Sequence, residues 1–576
     1  MNDIRRTILW VIFGFSMVLL WDQWQIHNGN RATFFPAPLP NSAVVTTAPA
    51  PAPAATATDA SVPTAAVSSA AVPAAPVVAQ GSAPMVAKAY YEVTTDVMKL
   101  VFENEGGSLV RSEFLKFSET EDKAQPFVLL DNSPGRVYMA QTGVIGGATS
   151  GAFPTHKTPM VFSGEKTLQD GQDALTITFT SEDVGGLKLV KTYTLRRGAY
   201  DIDVAHAITN LSGTPIAPQL YLQLVRDGNK PPGESVFYMT FTGPAVYTEA
   251  KKYQKVEFSD IKKKAADFEK QSSNGYIAMV QHYFASAWVL PDGMQRTFSL
   301  DAVDIGIPVP DCCYRASMIA PLESIAPGAT KVVESKLFVG PQEEKRLEAL
   351  TPGLELVKDY GWLTILAKPL YWLLDKLYVL LQNWGWAIVA LVLLLKIAFY
   401  WLNAKAYASM AKMKAVNPKI MEMRERLKDN PQQMQQEMMR IYREEKVNPM
   451  GGCFPILVQI PVFIALYWVL LSSVEMRNAP WVLWITDLSS PDPYYILPLL
   501  MTVTTLLQTA LNPAPPDPLQ AKMMWFMPLA FSVMFFFFPS GLVLYWITNN
   551  ILSIAQQWII NVRMGVPPQF NLPKFS

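Results

Sequence analysis

The sequence predicts a multi-pass α-helical membrane protein of six spans that carries a large exported antiparallel β domain. Apolar runs of membrane length crowd the last third of the chain, whereas residues 90–340 break into short runs alternating with a period of two. Composition lies between the soluble and membrane classes, with 50% hydrophobic and 17% charged residues in 576. A basic start, Met-Asn-Asp-Ile-Arg-Arg, precedes an uncharged stretch from Thr7 to Trp21, the pattern of a segment that exports the chain downstream of it.

The first element, 1–28, reads as a signal-anchor span. Its apolar run is short, so a cleaved signal peptide is the alternative. Trp21-Asp22-Gln23-Trp24 stands where a small-x-small cleavage site belongs, which favours an uncleaved anchor. Residues 29–89 form a linker, because Ala, Pro, Val, Thr and Ser with almost no charge supply no core.

Residues 90–341 read as one antiparallel sandwich. In Ile202-Asp-Val-Ala-His-Ala-Ile the apolar positions share a face with His206, which makes it a core histidine. Asp201 and Asp203 share the opposite face, which reads as solvated, a paired-carboxylate site being the alternative. No acid–base constellation stands out here, so nothing points to an enzyme. Cys312 and Cys313 are adjacent and Cys453 is remote, so no disulfide framework is expected and all three read as structural. The histidines at 27, 156, 206 and 282 lack metal-ligand spacing, and no GxxxxGK[ST] motif occurs, so no cofactor is expected. A net charge of zero gives no sign of a sequence-specific nucleic-acid partner.

Residues 342–382 mix Trp, Tyr and Leu with Lys368, Asp375 and Lys376, as in helices lying along the membrane interface. The second span, 383–403, contains Lys396. A cation in hydrocarbon costs roughly 2.5–3.5 kcal/mol on insertion scales unless it meets water or a partner. On a straight helix Lys396, Tyr400 and Asn403 share one face, and Lys396 either snorkels to the near end or sits in a hydrated cavity. Residues 404–453 hold ten Lys or Arg and belong in the cytoplasm. Asn-Pro pairs at 417–418, 430–431 and 448–449 predict a hairpin of two helices, 419–428 and 432–446. Its methionines (Met410, Met413, Met421, Met434, Met438 and Met439) either pack the hairpin or offer an adaptable apolar surface.

Four further spans, 454–472, 494–511, 523–538 and 540–560, fill the region 454–561, and 562–576 is a tail. The distribution of basic residues puts both termini in the cytoplasm. Lys396, Asn403, Gln459, Thr505, Gln508 and Asn549 then lie in cytoplasmic halves, with Asn550, Gln556 and Gln557 beside them. The outer halves are nearly apolar, as in Met534-Phe-Phe-Phe-Phe538. A conducting pore needs polar lining throughout. This distribution predicts instead a pocket open to the cytoplasm and closed outside, the alternative being polar residues that only join helices.

Lys405-Ala-Tyr-Ala-Ser-Met-Ala-Lys-Met-Lys, Asn417-Pro-Lys-Ile, Lys446-Val-Asn-Pro-Met-Gly-Gly-Cys-Phe-Pro-Ile456 and Phe538-Pro-Ser-Gly-Leu-Val-Leu-Tyr-Trp546 together resemble the YidC/Oxa1/Alb3 family of membrane protein insertases. The resemblance is close over about 350–565, and the anchor and exported domain match the layout of the Gram-negative type. It implies a groove built by five spans around one cation, usually arginine; Lys396 matches that position. Gln459 and Trp546 fall at further groove positions, and Val392 stands where some relatives have threonine. The expected groove set is Lys396, Asn403, Gln459, Thr505, Gln508, Tyr545, Trp546 and Asn549. For the exported domain the resemblance implies a galactose-mutarotase-like β-supersandwich, without identifiable residues for sugar chemistry.

The implied function is insertion and chaperoning of nascent membrane proteins at the bacterial inner membrane, alone or with the Sec translocon. The ribosome would meet Met410, Met413, Met421, Met434 and Met438, and the lipid bilayer would receive the client. Two rivals stand beside it. A secondary transporter with an exported binding domain would want polar groups at the midplane and related halves. An anchored carbohydrate-processing enzyme would need a carboxylate or histidine pair within 90–340.

Overall fold

A computed structural model describes residues 61–63, 88–119, 122–146, 153–231, 240–427, 430–445, 454–512, 518–563, 565 and 570. The anchor expected over 1–28, most of the linker, residues 446–453 and most of the tail lie outside the described residues.

Eighteen strands are described. They begin with β1 (Tyr90–Thr94), β2 (Met98–Glu103), β3 (Leu109–Ser118), β4 (Pro126–Ser133), β5 (Arg136–Ile145) and β6 (Met160–Gly164). Next come β7 (Ala174–Ser181), β8 (Leu187–Arg196), β9 (Asp201–Asn210), β10 (Gln219–Arg226), β11 (Gly243–Thr248) and β12 (Lys252–Lys255). The last are β13 (Gln271–Ser272), β14 (Tyr276–Gln281), β15 (Phe284–Val289), β16 (Arg296–Ala302), β17 (Tyr314–Pro321) and β18 (Thr330–Pro341). They form two nine-stranded sheets, ordered β1-β2-β3-β4-β5-β10-β17-β16-β13 and β12-β11-β14-β15-β18-β9-β8-β7-β6. The named strand pairs are antiparallel.

The period-two runs become strands because alternate side chains reach one core. On β9, Ile202, Val204, His206 and Ile208 are buried, while Asp201 and Asp203 are half-buried. Phe102, Phe114, Phe179, Tyr193, Phe284 and Trp288 belong to the main core. Each such side chain contributes roughly 1.5–3 kcal/mol of apolar burial. Strand β10 is buried at every position, which simple alternation does not anticipate. Its outward Val225 is covered by Val303, Val309 and Cys313, so a loop seals part of the first sheet's outer face. Cys312 and Cys313 both lie in that loop.

His206 is fully buried, its Nε2 3.1 Å from the Thr142 hydroxyl, and burial pushes its pKa down to about 3. Its cross-strand neighbour Lys191 is buried as well and donates to the Gly106 and Thr142 carbonyls at 2.6 and 2.7 Å, joining the two sheets. Burial pushes Lys191 from 10.5 down to about 7. An unfolded chain keeps this lysine protonated to higher pH than the folded chain, so folding releases a proton between these values. The penalty is fully present below about 7 and fades as pH rises toward 10.5. We expect the urea midpoint of the full chain to rise between pH 7 and pH 9 (both inside that window), with Lys191→Met flattening the rise.

The helices are α1 (Phe258–Lys262), α2 (Glu344–Leu350), α3 (Thr364–Leu381), α4 (Trp384–Ala398), α5 (Tyr400–Arg426), α6 (Pro431–Glu444), α7 (Phe454–Ser472), α8 (Ile496–Leu511), α9 (Pro518–Met534) and α10 (Ser540–Arg563). Ala387, Ile388 and Leu391 of α4, Ala465, Leu466 and Val469 of α7, and Leu542 and Val543 of α10 belong to a second core. Helix α3 exposes Ile365, Trp372, Val379 and Leu380 while burying Ala367, Tyr371 and Leu374.

Two helical expectations are corrected. The segment 383–403 is not one straight span: α4 and the start of α5 meet at 67°, with Phe399 at φ −91° and ψ 9°. Composition reads the apolar length, but one residue's backbone angles turn the chain. Likewise α5 runs unbroken through Pro418, where the sequence predicts a new helix at 419. Proline removes one intrahelical bond, and Val416, Ile420 and Met423 pack on both sides of it. Asn430-Pro431 does break the chain, because the Asn430 side chain caps the Gln433 amide at 3.2 Å and proline takes the first turn of α6. Among the described residues no single helix is long and apolar enough to cross a membrane, although the bent α4–α5 pair is.

Candidate functional site

The site begins where α4 starts. The Asn383 side chain caps α4 by accepting from the Trp386 amide at 3.1 Å, and its own amide donates to the Pro480 carbonyl at 3.2 Å. Gly385 lets this first turn lie against Trp481; a Cβ there would overlap the indole. Gly385→Ala should therefore cost about 1–3 kcal/mol through overpacking, measured as a lowered thermal midpoint of the full chain.

Three turns on, Lys396 is half-buried, and its Nζ donates to the Ser553 hydroxyl of α10 at 2.6 Å. Among the described residues no carboxylate pairs with it. Beyond the bend Asn403 is buried. It accepts from Gln459 Nε2 of α7 at 2.5 Å and donates to Gln556 Oε1 of α10 at 3.1 Å. One polar chain thus ties α5, α7 and α10 together beside the cation.

A cavity of about 230 Å³ opens here, lined by Lys396, Asn403, Gln459, Tyr545, Trp546 and Asn549, with Val392, Phe399 and Phe463 among its apolar walls. Six of the eight expected groove residues therefore meet in one place. Val392 gives the wall no hydrogen-bonding group. The bend removes Tyr400 from the polar stripe and leaves it exposed.

Thr505 and Gln508 do not join this cavity. Thr505 lines a neighbouring space of about 710 Å³ walled by Phe463, Tyr467, Trp468, Phe531, Phe535, Phe538 and Trp546. Its hydroxyl donates to the Met501 carbonyl at 2.8 Å and accepts from Asn550 Nδ2 at 2.9 Å, so it joins helices α8 and α10. Gln508 lines neither space. Phe463 and Trp546 border both spaces, their rings 4.7 Å apart. The polar cavity therefore adjoins an apolar one across Phe463 and Trp546.

Ser553 escaped the sequence reading because serine on an apolar helix carries little signal. The spacing Asn549, Ser553, Gln556 (i, i+4, i+7) would have found it. The methionines divide. Met413, Met434 and Met438 pack inside the hairpin with Val416, Ile420 and Met423. Met421 and Met439 are more than half exposed, and Met410 is half-buried.

The β domain has a further hollow of about 700 Å³ on the second sheet, lined by Arg196, Asp203, Glu334 and Lys336 among others. Asp203 is ion-paired there with Arg196 and, at 3.4 Å, with Lys336, while Asp201 lies 3.9 Å from Lys336. The two carboxylates are thus salt-bridged.

Residues 90–373 match the model of the YidC periplasmic domain, and residues 376–566 match that of the 60Kd inner membrane protein. Membrane protein insertase YidC of Cupriavidus necator is 53% identical over 564 residues, 98% of each chain. Membrane protein insertase YidC of Bordetella pertussis is also 53% identical, over 97% of each chain. A crystal structure of an active YidC insertase with its first transmembrane domain resolved aligns with 81% of this chain and 91% of its own, at 19% identity and a TM-score of 0.37. The family models and the relatives converge on one conclusion: the chain belongs to the YidC family of membrane protein insertases.

Proposed function

We propose that the chain inserts and chaperones nascent membrane proteins, drawing them from a groove open to the cytoplasm into the lipid bilayer. The observation that carries this reading is Lys396, a half-buried cation held by a neutral hydroxyl in a cavity that adjoins an apolar space. A short polar exported segment enters beside Lys396, favourably when it carries Asp or Glu. The apolar segment behind it passes Phe463 and Trp546 toward lipid, where burial of about 20 apolar residues drives completion.

The other segments serve this step from either side of the membrane. Residues 1–28 anchor the chain, 29–89 link it, 90–341 lie in the periplasm and 342–382 lie along the interface. Residues 383–403 and 454–561 supply five spans, six with the anchor, and both termini face the cytoplasm. The 404–453 hairpin meets the ribosome and client through exposed Met421 and Met439, with Met410 beside the membrane. It acts alone or with the Sec translocon, and no cofactor or nucleic-acid sequence is read.

The test places photo-crosslinkers at Gln459 and Trp546 and presents ribosomes stalled on a short two-span client. Crosslinks that appear and then fade as the nascent chain lengthens are expected. Their absence at every length, in a folded protein, would mean that the cavity at Lys396 is not the client's path.

A further inference from the structure

Composition makes the linker a tether, yet one short piece of it, Ser61-Val62-Pro63, lies on the β domain. Val62 packs against Ile145, Tyr221 and Ile319, which are themselves buried. These residues come from the adjacent strands β5, β10 and β17, with Tyr221 directly opposite Ile319. The Ser61 carbonyl accepts two hydrogen bonds, from Gln223 Nε2 at 3.3 Å and from Arg315 Nη1 at 3.1 Å.

Both donors are held in place by other groups. Gln223 is fully buried and also donates to Gln141 Oε1 at 2.8 Å. Arg315 is 7% exposed, and its Nη2 lies 3.2 Å from Asp301 Oδ2. Strand β10 has neighbours on both sides, so the segment does not add to a sheet edge. Recognition includes one carbonyl, one β-branched side chain and a buried proline. Proline suits such a position because it has no amide proton that burial would strand and its φ is already fixed.

We propose that this patch on the first sheet's outer face is a docking site for the linker's own Ser61-Val62-Pro63. Docking divides the tether. With the anchor expected over 1–28, only residues 29–60 then connect it to the β domain, and their covalent reach is about half that of the whole linker. Three residues hold weakly on their own, but attachment in the same chain supplies an effective concentration on the order of millimolar. The latch is therefore exchangeable. Ala71-Val72-Pro73 repeats the Val-Pro pair ten residues later and is the natural competitor for the patch.

The test uses the full chain in membranes, with a photo-crosslinking residue at Val62, Val72 or Val45 and mass spectrometry of the linked peptides. Val62 should link chiefly to the strands bearing Ile145, Tyr221 and Ile319. The same scattered pattern from Val62 as from Val45 would overturn the site, and links from Val72 in place of Val62 would overturn its register. Val62→Asp, which leaves the sandwich intact, should speed proteolysis between residues 58 and 66 several-fold. Unchanged cleavage would also overturn the proposal.

Discussion

Lys396→Glu should sharply reduce insertion of clients whose exported segment carries Asp or Glu, while Lys396→Arg should keep it. Lys396 donates to Ser553 and has no carboxylate partner among the described residues, so its charge remains available to an incoming segment. At an effective dielectric of about 20 and a separation of about 6 Å, a unit charge pair is worth roughly 3 kcal/mol. Reversing the sign turns attraction into repulsion. Even when desolvation offsets half of that swing, the client's occupancy of the cavity falls about a hundredfold. The substitution spares the fold, since a carboxylate can accept from the Ser553 hydroxyl where the ammonium donates. Arginine keeps the charge and offers five donors to the same hydroxyl. Protease protection of the client's exported tail in proteoliposomes reads the result, with a neutral-tail client as control. Equal insertion by Lys396→Glu and the unaltered protein would remove the electrostatic step while leaving the groove in place.

Much of this site was legible because polar residues in apolar helices carry a strong signal. Lys396, Asn403, Gln459, Tyr545, Trp546 and Asn549 line one cavity. What composition could not supply was direction. The 67° turn at Phe399 sends Tyr400 outward while Asn403 still reaches Gln459 and Gln556. Thr505 and Gln508 share their spans' polarity, but packing turns Thr505 toward Asn550 instead of the cavity. In the β domain the alternation of β8 and β9 was plain. The all-buried β10 was not, because its outer cover comes from distant residues such as Val62 and Val309. Proline at 418 misled for the opposite reason: a local rule yielded to packing between α5 and α6.

Glu475→Ala should destabilise the chain by about 3–5 kcal/mol, the usual cost of stranding one partner of a buried ion pair. The Lys358 side chain is fully buried, and its ammonium lies 3.0 Å from both Glu475 oxygens. Tyr371 donates to the same carboxylate at 2.5 Å, and its ring lies under the Lys358 ammonium at 3.9 Å. Removing the carboxylate leaves a buried cation with the rings of Tyr371 and Tyr360, at 3.9 and 5.8 Å, and the more distant Glu344 carboxylate, which together replace only part of the lost pair. The location multiplies the effect. Lys358 comes just after the β domain, Tyr371 is on α3, and Glu475 is in the turn after α7, so one cluster fastens three parts. Nearby, His282 bonds the Leu471 carbonyl at 2.9 Å and Arg477 reaches the Ser118 carbonyl, extending the seam. Thermal unfolding of the full chain in detergent should show the loss. The double variant Lys358→Met with Glu475→Leu should recover most of it, because no charge is then stranded. A Glu475→Ala midpoint unchanged from the unaltered protein would mean that water reaches the pair and that the seam rests on apolar contacts alone.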